Sequence, residues 1–387
     1  MNIRPADTPT APTAVPATDT PTGVPATDTP TAVPATDPLT AVPATDLPTA
    51  VPATGPPTAE ARHRPPTAEA RPEGRPADFV PVPDPSPTDH RPDRWSGELL
   101  HLDAYLARIG YDGPREPTLT VLRDLQRAHT THIPFENVHA VLGRDLPLDL
   151  PSIEARLVDD RRGGYCFEHV LLFAAALERL GFHVTGMIGR VSLGAPKVLP
   201  ATHGLLAVTA RDDDREWLCD VGFGAGPLGP IEIADGAHVA YEGWRHRLER
   251  RPGAHGVDQW WLYQTAPGPS GPDNDPERVP TPWIDRHTFT LTAQYPIDYV
   301  VGSHFVGTNA RSPFVRRLFA QRMTPAAHYG MDDLTLVTTR PDGTNTTEEI
   351  APEALDGTLR KVFGIALTEE ELRELAARRS AAATSTA

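Results

Sequence analysis

The sequence predicts an α+β protein with a helical block first, an antiparallel sheet or small barrel second, and a mixed block of helices and strands last. Three observations predict this fold class. A nine-residue repeat occupies much of the N-terminal part, apolar residues then recur at helical spacing up to Gly181, and β-branched residues with a period of two follow. We place the boundaries of the four segments at 1–94, 95–181, 182–296 and 297–387.

The first segment, 1–94, is predicted to be a disordered tail. Thr-Ala-Val-Pro-Ala-Thr-Asp recurs from Thr13, Thr31 and Thr40 with a period of nine residues. A β-solenoid would need more apolar side chains than the single valine in each repeat. Such a segment cannot offset the entropy lost on ordering, so we expect an extension with polyproline II character.

Charge and cysteine content exclude several classes of protein. The 387 residues carry a net charge of −15, which argues against general binding to nucleic acid or anionic membranes. Two cysteines cannot form a disulfide framework, and the N-terminus lacks the apolar core of a secretory signal. Since no apolar run is long enough for a membrane span, we predict a cytoplasmic protein without nucleic-acid or membrane partners.

The second segment is predicted to be helical from its apolar spacing and its stop signals. The expected helices cover 98–109, 119–129, 152–158 and the segment from Cys166 to Gly181. A turn is expected at 133–137, because Pro134 forbids continuation of a helix.

Strands are predicted in the third segment, and helices with a hairpin in the fourth. The expected strands cover 184–193, 204–210, 217–223, 259–264 and 288–293. The fourth segment is expected to contain a helix at 312–321, a hairpin around 341–343, and closing helices at 352–363 and 368–377. Thr368 and Glu371 have the spacing of a capping box at the start of the last helix.

A candidate nucleophile stands where the Gly163-Gly164 turn enters a helix. A thiol at this place, Cys166, meets unpaired backbone N–H groups and the positive end of the helix dipole, which both favour the thiolate. A cysteine nucleophile also needs a base and a group that orients the base. His169 is within reach on the same helix, but it has no obvious third partner.

His203 is the better candidate base, because it stands immediately before an apolar strand. Asp220 ends the neighbouring strand, and the short acidic turn at 212–214 brings both residues to the same end of an antiparallel pair. Asp220 then accepts a hydrogen bond from one imidazole nitrogen while the other nitrogen faces Cys166.

A zinc site is the alternative for the same cysteine. Cys166 and His169 have ligand spacing, and Cys219 or His183 would have to complete the set. The spacing supplies one clear pair, whereas structural zinc sites use four ligands. We therefore predict no metal.

Four sequence blocks resemble the signature blocks of the arylamine N-acetyltransferase family, in the same order and at similar spacing. They are Ile-Pro-Phe-Glu-Asn at 133–137, Arg-Gly-Gly-Tyr-Cys-Phe-Glu at 162–168, Thr-His at 202–203, and Asp-Val-Gly-Phe-Gly at 220–224. The resemblance implies a helical bundle, a β-barrel and an α/β lid on a cysteine-protease-like core. It also implies that Cys166 accepts the acyl group, that His203 is its base, and that Asp220 orients His203.

The implied reaction is ping-pong acetyl transfer. Acetyl-CoA acetylates Cys166, and an arylamine or hydrazine then takes the acetyl group from the thioester. Acetyl-CoA is a donor in this scheme, so no permanently bound cofactor is expected. The segment 305–314 resembles the family's lid, which borders the coenzyme A cleft. By this resemblance Thr202, Phe305, Arg311 and Ser312 are the candidate cofactor contacts.

Two positions depart from the family's pattern. Val170 stands where the family often has asparagine, and Ala310 precedes Arg311 where the family commonly has proline and a small hydroxyl residue. The altered lid keeps open an amide synthase of the same fold, which would take a long acyl chain from an acyl carrier protein and release a macrolactam. A non-catalytic binding protein on the same fold is the second alternative.

Overall fold

A computed structural model describes residues 95–195, 197–253, 256–265 and 283–385. The predicted disordered tail at 1–94 lies outside the described residues. The described part combines helices with two antiparallel sheets, which confirms the predicted α+β class. The segment boundaries themselves stay predictions.

The helical block contains five α-helices, at Leu102–Arg108 (α1), Leu119–His132 (α2), Val138–Leu142 (α3), Leu150–Glu154 (α4) and Cys166–Leu180 (α5). A 3₁₀ turn at Gly97–Leu99 and a π-helical turn at Ala155–Asp159 complete it. The helix expected at 98–109 is therefore divided. Leu100 is extended, and the Glu178 carboxylate accepts the backbone N–H groups of Trp95 and Gly97 at 3.0 and 2.8 Å, which holds the first turn apart from α1.

α5 is the central helix of this block. Its side chains from Cys166 to Leu177 are all buried, as expected for a helix that is apolar around most of its circumference. It ends at Gly181 with φ of 90°, the left-handed conformation that glycine adopts readily, so the predicted stop is confirmed.

The main sheet has eight antiparallel strands in the order β5-β4-β3-β2-β9-β8-β7-β6 and is nearly closed. The strands are His183–Val191 (β2), His203–Ala210 (β3), Asp213–Cys219 (β4), Ile231–Glu232 (β5), His238–Tyr241 (β6), Trp244–Pro252 (β7), Asp258–Thr265 (β8) and Trp283–Phe289 (β9). The five predicted strands correspond to β2, β3, β4, β8 and β9, with shifted ends.

Sequence reasoning missed β5, β6 and β7. β7 reads Trp-Arg-His-Arg-Leu-Glu-Arg-Arg-Pro, and its inward positions are Trp244, His246 and Leu248. The strand is rich in arginine and buries a histidine, so it lacks the apolar alternation that marks a strand. The predicted strand 217–223 was also too late: β4 ends at Cys219, and Asp220 lies in the loop beyond it.

The C-terminal part contains the second sheet, with strand order β1-β10-β11-β12-β13. Its strands are Phe135–Glu136 (β1), Phe319–Met323 (β10), His328–Asp332 (β11), Thr335–Thr339 (β12) and Asn345–Glu349 (β13). The helices here are Pro296–Thr308 (α6), Pro313–Arg316 (α7), Leu355–Thr358 (α8) and Glu369–Ser385 (α9). A 3₁₀ turn at Pro352–Ala354 and a π-helical turn at Leu359–Phe363 flank α8.

The hairpin, the capping box and the last helix are confirmed in this region, and the helix at 312–321 is wrong. The helix expected at 352–363 is divided into the 3₁₀ turn, α8 and the π-helical turn. β12 and β13 form the predicted hairpin, and Thr368 and Glu371 cap α9 reciprocally at 2.8 and 3.2 Å. The helix expected at 312–321 ends at Arg316, because the next residues form β10 between β1 and β11. The Asn137 carboxamide oxygen accepts the Phe319 N–H at 2.6 Å, so tertiary contacts override helical propensity.

One hydrophobic core joins the helical block to the main sheet. It contains Cys166, Phe167 and Val170 from α5 together with Leu206 and Val208 from β3. The start of α5 therefore lies at the seam between helices and sheet. Among the described residues, no helix is long and apolar enough to cross a membrane.

Candidate active site

The turn before Cys166 is pressed against the loop that precedes β1. The backbone N–H of Glu136 donates to the Gly164 carbonyl at 2.9 Å, and the N–H of Gly164 donates to the Pro134 carbonyl at 3.3 Å. A Cβ atom on Gly163 would stand 2.2 Å from the Pro134 oxygen, so this approach requires glycine. The Gly-Gly pair therefore permits the contact that places Cys166 at the seam.

An ion-pair network holds the residue before this turn. The Arg162 guanidinium, which is buried, donates to both carboxylate oxygens of Glu136 at 2.8 and 3.0 Å. It also donates to Glu371 of α9 at 3.1 and 3.2 Å. Bidentate pairs of this kind have a defined geometry, so strand β1 and the last helix both constrain the approach to Cys166.

Cys166 faces the mouth of β3. Its thiol donates to the Thr202 carbonyl at 3.5 Å, and it hydrogen-bonds with the imidazole of His203. Gly222 also packs against the cysteine, so closely that a Cβ atom there would lie 2.7 Å from the Cys166 Cα. The nucleophile candidate is thus confined between two loops of the main sheet.

His203 and Asp220 meet as the sequence predicts. The pairing of β3 with β4 places them at the same end of the sheet, and His203 Nε2 donates to Asp220 Oδ1 at 3.0 Å. Because Nε2 of His203 is hydrogen-bonded to Asp220, Nδ1 is the imidazole nitrogen that can face Cys166. Both residues are almost fully buried, with exposed fractions of 3% and 1%.

The charges of this pair are mutually stabilised. Burial alone would lower the pKa of His203, but Asp220 and the hydrogen bond to Cys166 outweigh it and raise the pKa to about 10. Burial would raise the pKa of Asp220, but His203 and His287 hold it well below its usual range. At neutral pH the pair is therefore imidazolium and carboxylate.

Sequence reasoning missed a further member of the site, His287. This residue of β9 is fully buried, and its Nε2 donates to Asp220 Oδ2 at 2.9 Å. Burial lowers the pKa of His287, so it is a neutral donor. The predicted strand began one residue too late to include it, and among 15 histidines nothing else in the sequence distinguishes it. Asp220 is consequently held through both carboxylate oxygens.

A family model described as N-acetyltransferase matches residues 118–372 of the chain. The arylamine N-acetyltransferase of Mycolicibacterium smegmatis is 36% identical over 287 residues, which are 72% of this chain and 97% of the relative. The chain belongs to the arylamine N-acetyltransferase family. It is thus an acyltransferase, as the blocks around Cys166, His203 and Asp220 predict.

Solved structures of the family have the same fold. The Nocardia farcinica arylamine N-acetyltransferase superimposes with a TM-score of 0.68 at 50% identity, covering 73% of this chain and 95% of that chain. The Mycobacterium marinum enzyme in complex with CoA superimposes with a TM-score of 0.63 at 32% identity, covering 72% and 97%. The predicted fold class, with its cysteine-protease-like core, is confirmed.

The four candidate cofactor residues lie in different places in the structure. Thr202 lies beside the candidate nucleophile, because the Cys166 thiol donates to the Thr202 carbonyl. Phe305 is 41% exposed on α6, and Arg311 is exposed in the following turn. Ser312 is buried, and its hydroxyl accepts the Phe314 N–H at 3.3 Å as the cap of α7. Their roles toward a cofactor stay predictions.

The zinc alternative named Cys166 and His169 as its clear pair of ligands. Within the described ranges, a different group, His203, Asp220 and His287, has potential ligand atoms within 4.8 Å of one another. Hydrogen bonds of 3.0 and 2.9 Å already account for these contacts. His169 turns into the helical core, where its Nε2 lies 3.2 and 3.1 Å from the carbonyl oxygens of Pro134 and Gly164.

Proposed function

We propose that the protein transfers an acetyl group from acetyl-CoA to an arylamine or hydrazine through a thioester on Cys166. The observation that carries this proposal is the buried Cys166–His203–Asp220 arrangement at the seam. A nucleophile, a base and an orienting carboxylate in one hydrogen-bonded series are the elements of covalent acyl transfer. The CoA complex of the Mycobacterium marinum relative supports acetyl-CoA as the donor.

In the first half-reaction, His203 Nδ1 already holds the proton of the pair, and the Cys166 sulfur attacks the thioester carbonyl of acetyl-CoA. The bond between the carbonyl carbon and the CoA sulfur breaks, and CoA leaves with the proton from His203. In the second half-reaction, the amine nitrogen attacks the acetyl-cysteine and gives its proton to His203. The C–S bond then breaks, and the amide departs. His203 thus acts as base and acid in turn.

The electrostatics of the site suit this sequence of steps. His203 has a pKa of about 10, so it holds its proton at neutral pH and provides a positive charge beside the sulfur. A thiolate beside an imidazolium is the reactive form of a catalytic cysteine. Asp220 and His287 are both buried and hydrogen-bonded to each other, which keeps Nε2 of His203 on Asp220 and Nδ1 toward Cys166.

Mass measurement of the protein after incubation with acetyl-CoA tests the proposal. We expect one added acetyl group on Cys166, lost again when an arylamine is added. Cys219→Ala is the matched control, because Cys219 is fully buried in β4 and should leave the adduct intact. Cys166→Ala should abolish it. An adduct that persists in Cys166→Ala, or one that no amine removes, would contradict the mechanism.

The same experiment separates the two alternatives. The Mycolicibacterium smegmatis and Nocardia farcinica relatives are both named arylamine N-acetyltransferase, which favours acetyl-CoA over a carrier-bound acyl chain. A protein that takes only a long acyl chain would be an amide synthase instead. A protein that takes no acyl group and whose function survives Cys166→Ala would be a binding protein. The intact hydrogen-bonded series argues against the latter.

A further inference from the structure

Three polar side chains form a chain of hydrogen bonds in the core of the helical block, behind Cys166. The Tyr105 hydroxyl lies 2.9 Å from His129 Nδ1, and His129 Nε2 lies 2.9 Å from His169 Nδ1. His169 Nε2 lies 3.2 Å from the Pro134 carbonyl oxygen and 3.1 Å from that of Gly164. The exposed fractions of the three side chains are 0%, 0% and 1%.

The last acceptors in this series, the carbonyl oxygens of Pro134 and Gly164, determine the direction of every hydrogen bond before them. Carbonyl oxygens only accept, so His169 Nε2 must carry a proton. Burial lowers the pKa of His169 to about 4 and that of His129 well below its usual range, so both rings are neutral. His169 Nδ1 therefore accepts from His129 Nε2, and His129 Nδ1 accepts from the Tyr105 hydroxyl.

The two carbonyl groups belong to the contact that places the nucleophile. Gly164 forms an isolated bridge with Phe135, and its N–H donates to Pro134 while its carbonyl accepts from Glu136. The single N–H of His169 reaches the carbonyl oxygens on both sides of that bridge. His169 therefore ties the Gly-Gly turn to the loop before β1.

We infer that His169 is a positioning residue for Cys166. Tyr105 and His129 fix the tautomer in which His169 Nε2 donates to the carbonyl groups of Pro134 and Gly164. The inference rests on the proposed function of Cys166 as nucleophile. His169 follows Cys166 on the same helix, so the helix start and the turn before it are locked together by one side chain. Misplacing a reacting atom by about 1 Å costs about 100-fold in rate.

If His169 only stabilised the fold, its substitution would have different effects. Two neutral histidines buried in a core stabilise the fold when their hydrogen bonds are complete, whatever the position of the cysteine. A structural role would then lower the melting temperature in every variant that breaks the chain. It would not make the reactivity of Cys166 depend on whether the side chain at 169 donates a hydrogen bond.

The test compares His169→Gln with His169→Leu in the full-length protein. A glutamine amide keeps a donor toward the carbonyl oxygens and an acceptor toward His129, whereas leucine fills similar space with neither. The readouts are the rate of Cys166 alkylation by iodoacetamide, the rate of Cys166 acetylation by acetyl-CoA, and the melting temperature. We expect His169→Leu to lose about 10- to 100-fold in both rates and His169→Gln to recover most of that loss. Equal rates in the two variants would overturn the inference.

A measurement on the unaltered protein keeps the inference testable if His169→Leu does not fold. Nitrogen-15 NMR of the imidazole groups should show His129 and His169 as neutral rings with the proton on Nε2 at neutral pH. His169→Gln assigns the signals by removing one of the two rings. A proton on Nδ1 of either ring would refute the assigned direction of the hydrogen bonds from Tyr105 to His169.

The two proposals fail in distinguishable ways. Alkylation by iodoacetamide needs no acetyl donor, so it reports the placement of Cys166 independently of the reaction. If the unaltered protein takes no acetyl group but His169→Leu still slows alkylation, the proposed function fails and the positioning role stands. If acetylation proceeds and His169→Leu leaves both rates unchanged, the positioning role fails alone.

Discussion

Asp220→Asn removes the charge that dominates the active site without changing the size of the side chain. The pKa of His203 lies at about 10 against an ordinary 6.5, and this difference of about 3.5 pH units corresponds to roughly 5 kcal/mol at 1.36 kcal/mol per unit. Without the carboxylate, burial dominates, so the pKa of His203 should fall below 6.5. At neutral pH His203 would then be uncharged.

Asparagine also offers the wrong pattern of donors and acceptors. His203 and His287 both donate to Asp220, at 3.0 and 2.9 Å, so the site needs two acceptors. An amide supplies one acceptor and one donor, and its NH₂ group forces one imidazole to turn over or to change tautomer. If His203 changes tautomer, Nδ1 no longer accepts the thiol proton. Changing the tautomer of the histidine in a comparable triad costs about 10⁴-fold in turnover.

The assay is the single-turnover rate of Cys166 acetylation by acetyl-CoA, followed by mass, in Asp220→Asn and in Asp214→Asn. Asp214 is an exposed residue at the opposite end of β4, away from His203, and its variant should match the unaltered protein. We expect Asp220→Asn to lose about 10³- to 10⁴-fold at neutral pH. A loss below about tenfold would refute the roles assigned to Asp220, because neither its charge nor the tautomer of His203 would then matter.

The same pair predicts how stability changes with pH. His203 has a folded-state pKa above its unfolded value of 6.5, so its stabilising contribution is complete below pH 6.5 and is lost as pH rises through about 10. The pKa of Asp220 is depressed from 3.8, so its contribution is present above pH 3.8 and is lost in more acidic solution. Denaturant unfolding should therefore show less loss of stability between neutral and alkaline pH in Asp220→Asn. An identical alkaline loss in both proteins would contradict the linkage.

Two further substitutions test the geometry around this centre. His287→Phe removes one of the two donors to Asp220 and should lower the acetylation rate about 10- to 100-fold with little change in KM. A lost charge-assisted hydrogen bond is worth about 1.5–3 kcal/mol. An unchanged rate would show that one donor suffices. Gly222→Ala places a Cβ atom 2.7 Å from the Cys166 Cα and should lower both the rate and the melting temperature, whereas Gly357→Ala, where no atom lies within 4 Å, should do neither. If the two alanine variants behaved alike, the contact at Gly222 would be unimportant.

The features that sequence reasoning predicted are those that depend on neighbours in the chain. Gly181 ends α5, and Thr368 caps α9 with Glu371. The His203–Asp220 contact was also predictable, because a short turn joins their two strands and antiparallel pairing then leaves one register. In these cases a few residues and elementary geometry determine the structure.

The features that sequence reasoning missed depend on partners far away in the chain. β10 forms where a helix was expected, since β1 pairs with it across more than 180 residues through contacts such as Phe135 with Gln321. β7 presents arginines and the buried His246, so its pattern does not resemble a strand. His287 reaches Asp220 from a strand 67 residues further along. Long-range pairing of this kind leaves no local signal.

Cys166 and His203, its proposed base, are held by two separate buried networks. Helices and β1 hold the Gly163-Gly164 turn, whereas the main sheet holds His203 through Asp220 and His287. The distance between sulfur and imidazole therefore depends on how α5 packs against β3.

Val170 is part of that packing. A Cβ atom on Gly204, the residue after His203, would lie 3.4 Å from side-chain carbons of Val170 and Phe167. Val170 is fully buried, so at this point an apolar contact, rather than a polar side chain, sets the approach of α5 to β3. An asparagine there would need a buried hydrogen-bond partner for its amide. Valine is thus consistent with a seam whose spacing is set by close packing on both sides of the nucleophile.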